Sequence, residues 1–280
     1  MKLSVSAWSF QEKLFGQEIT IYDFIQYCHR NGIRSVELLD CFIKGEDDIK
    51  EITELLGRLD MEVSAYSIGN DFVLPDLRER KEQVEYLKKS LDIAEKLGSR
   101  CMRVFGGSEK EGIASECAED WIVECFQEGV PFAEEKGITM VLENHGLITG
   151  KSEQIKRVIE RVGSKALKAN ADVANFLLAN ENPLDAVKAL FNQIGYVHLK
   201  DLKKVSGEEG YTALDGSIYQ GVIFGCGDVP IDQTILYLKE NGFNGYLSIE
   251  YEGMGDPVKD TAECIKYLKN YNISGERHKI

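Results

Sequence analysis

The feature that most constrains this chain is a unit that recurs along its whole length: an amphipathic helical stretch, a Gly or equivalent stop, then a short apolar run closing on a polar residue. The stops are Asn31-Gly32 before RSVELLD, Asp60 before MEVSAYS, Gly98 before RCMRVFGG, Gly137 before ITMVLENHG, Gly163 before KALKANAD, Gly195 before YVHLKD and Gly242 before FNGYLSIEYEG. With the opening LSVSAW they make eight candidate strands. Glycine suits the position after a helix because it adopts the left-handed conformation without a Cβ penalty. The runs are apolar on both alternating faces (Val141 and Leu142, Val197 and Leu199, Leu247 and Ile249), as parallel strands covered on both sides must be. Helical periodicity falls at about 19–31, 47–59, 77–97, 115–136, 152–162, 183–192, 230–241 and 256–271. Eight strands alternating with eight helices predict an α/β protein, a (β/α)8 TIM barrel, and no low-complexity linker divides residues 1–280 into more than one domain.

Two local features qualify this pattern. Pro131 lies inside a helical stretch just after Gly129, where a kink or break is expected. The longest connection, about 202–229, follows the seventh strand and is rich in Gly, Ser and charge, which predicts a lid or binding loop. Its Gly221, Gly225 and Gly227 lack the Lys-Ser/Thr of a phosphate loop.

Composition narrows the function. The chain carries 33 Lys+Arg against 47 Asp+Glu, a net charge of −14, which repels nucleic-acid phosphates and anionic membranes. At 43% hydrophobic residues it can bury a large core. No apolar run approaches the roughly 18 residues of a membrane span, and MKLSVSAWSF has no signal-peptide core. The seven cysteines are scattered without a C-x-x-C pair, which predicts a reducing, cytoplasmic setting. The expected partner is a small molecule, and exposed barrel helices are compatible with a homo-oligomer.

In a barrel the chemistry sits at the C-terminal strand ends. The last four strands close on Glu143 (VLE), Asp172 (NAD), His198 (YVH) and Glu250 (SIE). Alternation puts them on the faces of Val141, Asn170, Tyr196 and Ser248, so if those faces look inward, three carboxylates and one imidazole converge. Like charges in a semi-buried cup require a cation. Three oxygens and one nitrogen without thiolate suit Mn2+ first, then Mg2+ or Co2+, better than a structural zinc, with Zn2+ kept as an alternative.

The runs VLENHG (141–146), ANADVANF (169–176), VHLKD (197–201) and SIEYEG (248–253), with the opening strand ending at Trp8 and the SVEL of the second strand, resemble the sugar isomerase/epimerase branch of the xylose isomerase-like TIM-barrel superfamily. The resemblance implies that Glu143, Asp172, His198 and Glu250 are metal ligands. It also implies that Glu143 and Glu250 are an acid/base pair moving a proton beside a carbonyl, as ketose 3-epimerases do. The physics agrees, since such a step needs a base, an acid and a Lewis acid for the developing enediolate. Relatives carry a His three residues after the aspartate, where this chain has Asn175, and an Arg six residues beyond the metal-binding His, where it has Lys204. Lys200, on His198's face, is the better candidate for a substrate contact. His145, Asn175, Arg103, Trp8 and Glu37 complete the set expected to touch substrate. A turn role is expected for Asp228, and none is assigned to His29 or His278.

Three other activities compete with isomerisation. A keto-inositol or sugar-acid dehydratase uses the same metal and the same proton abstraction. An AP endonuclease is disfavoured by the net charge and by the fourth strand ending Val104-Phe105-Gly106-Gly107 without His. A barrel kept only for sugar binding would hold no metal.

Overall fold

The computed structural model describes residues 1–207 and 209–271; His278 lies outside them. Eight parallel strands close into a barrel: β1 (Lys2–Ser6), β2 (Ser35–Leu39), β3 (Glu62–Ser67), β4 (Cys101–Val104), β5 (Thr139–Glu143), β6 (Leu167–Asp172), β7 (Ile194–Leu199) and, after an insertion, β11 (Tyr246–Ile249). Each pairs with its chain neighbour in the barrel, and β11 closes onto β1. The α/β barrel expected from the recurring unit is therefore the fold. Among the described residues no helix is long and apolar enough to cross a membrane, and no cysteines pair.

The helices are α1 (Gln11–Phe15), α2 (Ile21–Arg30), α3 (Glu46–Leu59), α4 (Leu77–Lys96), α5 (Ser115–Lys136), α6 (Ser152–Val162), α7 (Val173–Leu178), α8 (Pro183–Leu190), α9 (Ile231–Glu240) and α10 (Pro257–Lys269). Thr20 and Asp23 form a capping box that starts α2, satisfying two backbone donors otherwise left open. Gly137 and Gly163 end α5 and α6 with φ of 62° and 72°, as the stop reading requires. Gly195 departs from that reading. It lies inside β7, where an added Cβ would sit 3.0 Å from Val141 and 3.1 Å from Lys168, so its role is close strand packing at the barrel floor.

Pro131 does not break α5, which runs from Ser115 to Lys136. Its neighbour Gly129 faces Leu87 of α4, where a Cβ would approach Leu87 Cδ2 to 2.8 Å, so it serves helix–helix contact rather than a break.

The connection after β7 has secondary structure of its own among its described residues. It folds into a three-stranded antiparallel sheet of β8 (Asp201–Val205), β9 (Tyr211–Thr212) and β10 (Ile218–Val222), in the order β8-β10-β9. The buried Asp201 carboxylate anchors its return by accepting from the amides of Gly225, Gly227 and Val229 at 2.9, 3.0 and 3.2 Å. The sheet is thereby fixed to the barrel rim, and Tyr211 becomes part of the wall around the barrel mouth.

Candidate metal centre

The site is built upward in layers along the strands. Ala65, Val141 and Tyr196 pack an apolar floor inside the barrel. Two residues further along the same strands, alternation turns Ser67, Glu143 and His198 inward, and Ser248 leads likewise to Glu250. The layer above the floor is therefore polar although fully enclosed: Glu37, Asp172 and His198 are completely buried, and Glu143 and Glu250 nearly so.

His198 is held from beneath. Its Nε2 meets both oxygens of Glu37 at 2.9 and 3.0 Å, and Ser67 and Ser248 donate to the same carboxylate at 2.6 and 2.8 Å. With Nε2 so occupied, Nδ1 faces Glu143 at 3.4 Å and Glu250 at 3.6 Å and has no hydrogen-bond partner. Glu37 was expected to touch substrate. The structure seals it under the imidazole, outside the cavity, because its side chain points toward the barrel axis one layer lower.

Asp172 is oriented by its own helix start. Its Oδ1 caps α7, accepting from Ala174 and Asn175 amides at 2.9 and 3.1 Å. The Asn144 side chain clamps its backbone from β5, accepting from the Asp172 amide at 2.8 Å and donating to its carbonyl at 2.9 Å. Asp172 Oδ2 remains buried without a hydrogen bond, Lys200 Nζ standing 3.1 Å away but out of line. One ligand atom from each of Glu143, Asp172, His198 and Glu250 falls within 4.8 Å of the others. Donors at about 2.1 Å from a shared ion stand at most about 4.2 Å apart, so the ring closes on a divalent cation by a small inward shift. The unpartnered His198 Nδ1 and Asp172 Oδ2 are the atoms such an ion would satisfy.

The electrostatics follow from crowding acids without water. Burial alone would lower the His198 pKa, but Glu250, Glu37 and Glu143 outweigh it and raise it to about 10. Burial lifts Glu143 to about 7 against the pull of His198 and Arg103. Glu250 is also buried, yet His198 and Lys200 hold it down to about 2. Lys200 meets Glu250 at 2.9 Å and Glu252 at 3.0 Å; against the opposing effect of burial, Asp172, Glu250 and Glu252 keep its pKa well above the ordinary value.

Above the ring opens a cavity of about 630 Å3 whose wall includes Trp8, Arg103, Glu143, His145, Asn175, Lys200 and Glu250. Arg103 lies 3.3 Å from Glu143, donates to the Ile68 carbonyl at 3.0 Å and stacks on Phe105. Asn175 donates to Glu143 at 3.4 Å. His145 is exposed at the rim with its ring 5.1 Å from Phe105; protein crowding, then the Lys200 charge, keep its pKa below the ordinary value. Lys204 is exposed on β8, away from the wall, and its amide donates to the Asp228 carboxylate at 2.7 Å, which gives Asp228 a turn role. The sequence reading passed over Glu252 and Tyr211. The Glu252 side chain is 7% exposed, bonded to Lys200, and accepts from the Tyr211 hydroxyl.

A closed (β/α)8 barrel with a carboxylate–histidine ring at its C-terminal mouth defines the class. Residues 25–271 match the family model of the xylose isomerase-like TIM barrel, and the chain belongs to that family. It is 27% identical over 164 residues to inosose dehydratase of Clostridium perfringens, an alignment covering 54% of each chain, so it spans about half the length of the curated relatives it matches first. Among solved structures it resembles a D-tagatose 3-epimerase-like protein (23% identity, 97% and 98% of the two chains, TM-score 0.77). It also resembles the IolI protein with a bound zinc atom (18% identity, 96% of each chain, TM-score 0.78). These structural likenesses concern the fold.

Proposed function

We propose that this protein is a divalent-metal-dependent sugar or polyol isomerase or epimerase that moves a proton next to a carbonyl. The observation that carries this reading is the pair Glu143 and Glu250, two buried carboxylates in one ring, on either side of His198 and open to the same cavity. A divalent ion, Mn2+ in the first instance, held by Glu143, Asp172, His198 and Glu250 would polarise the substrate carbonyl and offset the charge of its enediolate. Glu143 and Glu250, presented from β5 and from just beyond β11, are the pair that exchanges a proton with the substrate, one as base and the other as acid. Lys200 supplies fixed positive charge beside Glu250, and Arg103 and Asn175 hold the Glu143 carboxylate in place. Trp8 and His145 form the wall against which the substrate lies. The free cysteines and acidic surface fit a cytoplasmic enzyme.

One observation favours a second reading, dehydration of a keto-inositol or sugar acid. The Lys200–Glu252–Tyr211 chain adjoins Glu250 inside the cavity and offers bound protons to a departing hydroxyl, and the sequence match to an inosose dehydratase points the same way. Incubation of Mn2+-loaded protein with ketoses, aldoses and inososes in heavy water separates the two. Deuterium uptake at carbon without loss of mass supports isomerisation or epimerisation. Loss of one water supports the lyase, and no exchange with any member of the panel sinks both.

A further inference from the structure

The barrel mouth is divided by strand order. The ring that would take the metal comes from β5, β6, β7 and the residue after β11, whereas the facing wall comes from β1 to β4 and their loops and is apolar: Trp8, Phe15, Leu39, Ile68 and Phe105. Apart from Gln11 at the start of α1 and the Cys41 thiol, the polar side chains in that facing wall are already engaged. Asp40 accepts from the Cys41 and Gly69 amides and from Tyr86, and Arg103 is committed to Glu143 and the Ile68 carbonyl. A hydroxyl pressed against the Phe15, Leu39, Ile68 and Phe105 surfaces, out of reach of Gln11, would lose its water without a replacement partner. Phe15, 57% exposed, leans on Phe42 at 4.9 Å and presents its remaining surface to the cavity. A monosaccharide packed at interior density of about 0.74 fills roughly a third of the 630 Å3.

The charge balance adds a second constraint. Asp40, Glu143, Glu250 and Glu252 line the cavity, with Asp172 buried behind Lys200, and its two cations, Arg103 and Lys200, each have their counter-ions within 3.3 Å. A divalent ion leaves the site still slightly negative. A phosphate or carboxylate on the substrate would find no free cation among these lining residues.

From these observations we infer the substrate class: an uncharged polyhydroxy carbonyl compound whose polar head meets the ring and which carries an apolar substituent, aryl or alkyl, lying on the β1–β4 wall. The inference rests on the proposed function in taking the ring as the seat of the polar head.

The test is calorimetric binding to Mn2+-loaded protein of D-fructose and a keto-inositol, of their mono-O-benzyl ethers, and of their monophosphates. At least one benzyl ether is expected to bind about 10- to 100-fold more tightly than its parent, the gain from burying one aromatic ring, with the phosphates weaker than the parents. Phe15→Ala, at an exposed position, should bring the ether-to-parent ratio down several-fold. Parents equal to or tighter than every ether, phosphates tightest of all, or a ratio untouched by Phe15→Ala would overturn the inference. Carbon-bound deuterium uptake, measured on the same samples, reports separately on the reaction: preference for an ether without exchange sinks the proton-transfer reading alone, and exchange confined to small unsubstituted sugars sinks this one alone.

Discussion

Replacing Glu37 by Gln tests whether the buried layer beneath the ring serves the metal. The change preserves shape and leaves a carbonyl oxygen to accept from His198, while the Ser67 and Ser248 hydroxyls can rotate to suit the new amide. What disappears is the negative charge 2.9 Å from His198 Nε2, which makes the imidazole a better donor through Nδ1. Loss of such a partner to a metal-binding histidine costs about 10- to 100-fold in metal affinity, or roughly 1.4–2.8 kcal/mol. Mn2+ titration against a competing chelator measures it, with far-ultraviolet circular dichroism confirming the fold. Asp40→Asn removes an equal charge from the cavity wall without touching His198 and should change affinity less than about threefold. At saturating Mn2+, Glu37→Gln should leave KM within about twofold, because no substrate atom reaches that depth. Wild-type metal affinity in Glu37→Gln, or equal losses in both variants, would refute the assignment of Glu37 as the group that orients His198.

Four further outcomes follow from the same geometry. Because His198 in the metal-free protein is pushed up to about 10 and Glu143 to about 7, Mn2+ uptake at pH 7 should release about one and a half protons, and above pH 7 its affinity should rise about tenfold per pH unit toward pH 10; calorimetry in buffers of different ionisation enthalpy counts those protons. The sign for stability is opposite: a raised histidine stabilises the metal-free fold fully below its unfolded value near 6.5 and ceases to do so as pH rises through about 10, so metal-free melting temperature should fall across that window. Asp172→Asn keeps a good helix cap for α7 but loses an anionic ligand, so Mn2+ affinity should fall at least about 100-fold while thermal stability changes by less than about 1 kcal/mol; Asp172→Ala should lose about 1 kcal/mol more. At Gly227 a Cβ would overlap the Asp201 carboxylate and stand 2.6 Å from the Leu202 carbonyl, so Gly227→Ala should loosen the β8–β10 sheet, cost about 1–3 kcal/mol in denaturant melts and lower turnover with Mn2+ affinity intact.

The barrel and its polar ring were legible because both obey local rules. A parallel strand buried on both faces is largely apolar along its length, so the first carboxylate or imidazole on the inward face marks the strand's C-terminal end, and Glu143, Asp172, His198 and Glu250 are those side chains. The same alternation, carried two residues further, reaches Glu252 in SIEYEG, and a stricter use of period two would have found it.

The rest depended on distances across the barrel that no local pattern carries. Glu37 and Arg103 both lie on early strands, yet Arg103 reaches the cavity and Glu37, in the middle of β2, does not, because the stagger of neighbouring strands sets the layer in which each inward side chain falls. Depth then decides chemistry: the same carboxylate that could bind substrate at the rim can, one layer down, only orient an imidazole. Tyr211 was hidden for another reason. Its strand is two residues long in a stretch of Gly and charge, and it is held by pairing with β10 rather than by its own sequence, while β10 is tied to the barrel through the Gly221 and Gly253 bridge. The side chains a substrate meets above the metal ring are thus placed largely by this inserted sheet and by the β1–β4 loops, elements whose sequences are the least periodic in the chain. That is why the ring could be read before the fold was known, whereas the shape of what binds over it could not.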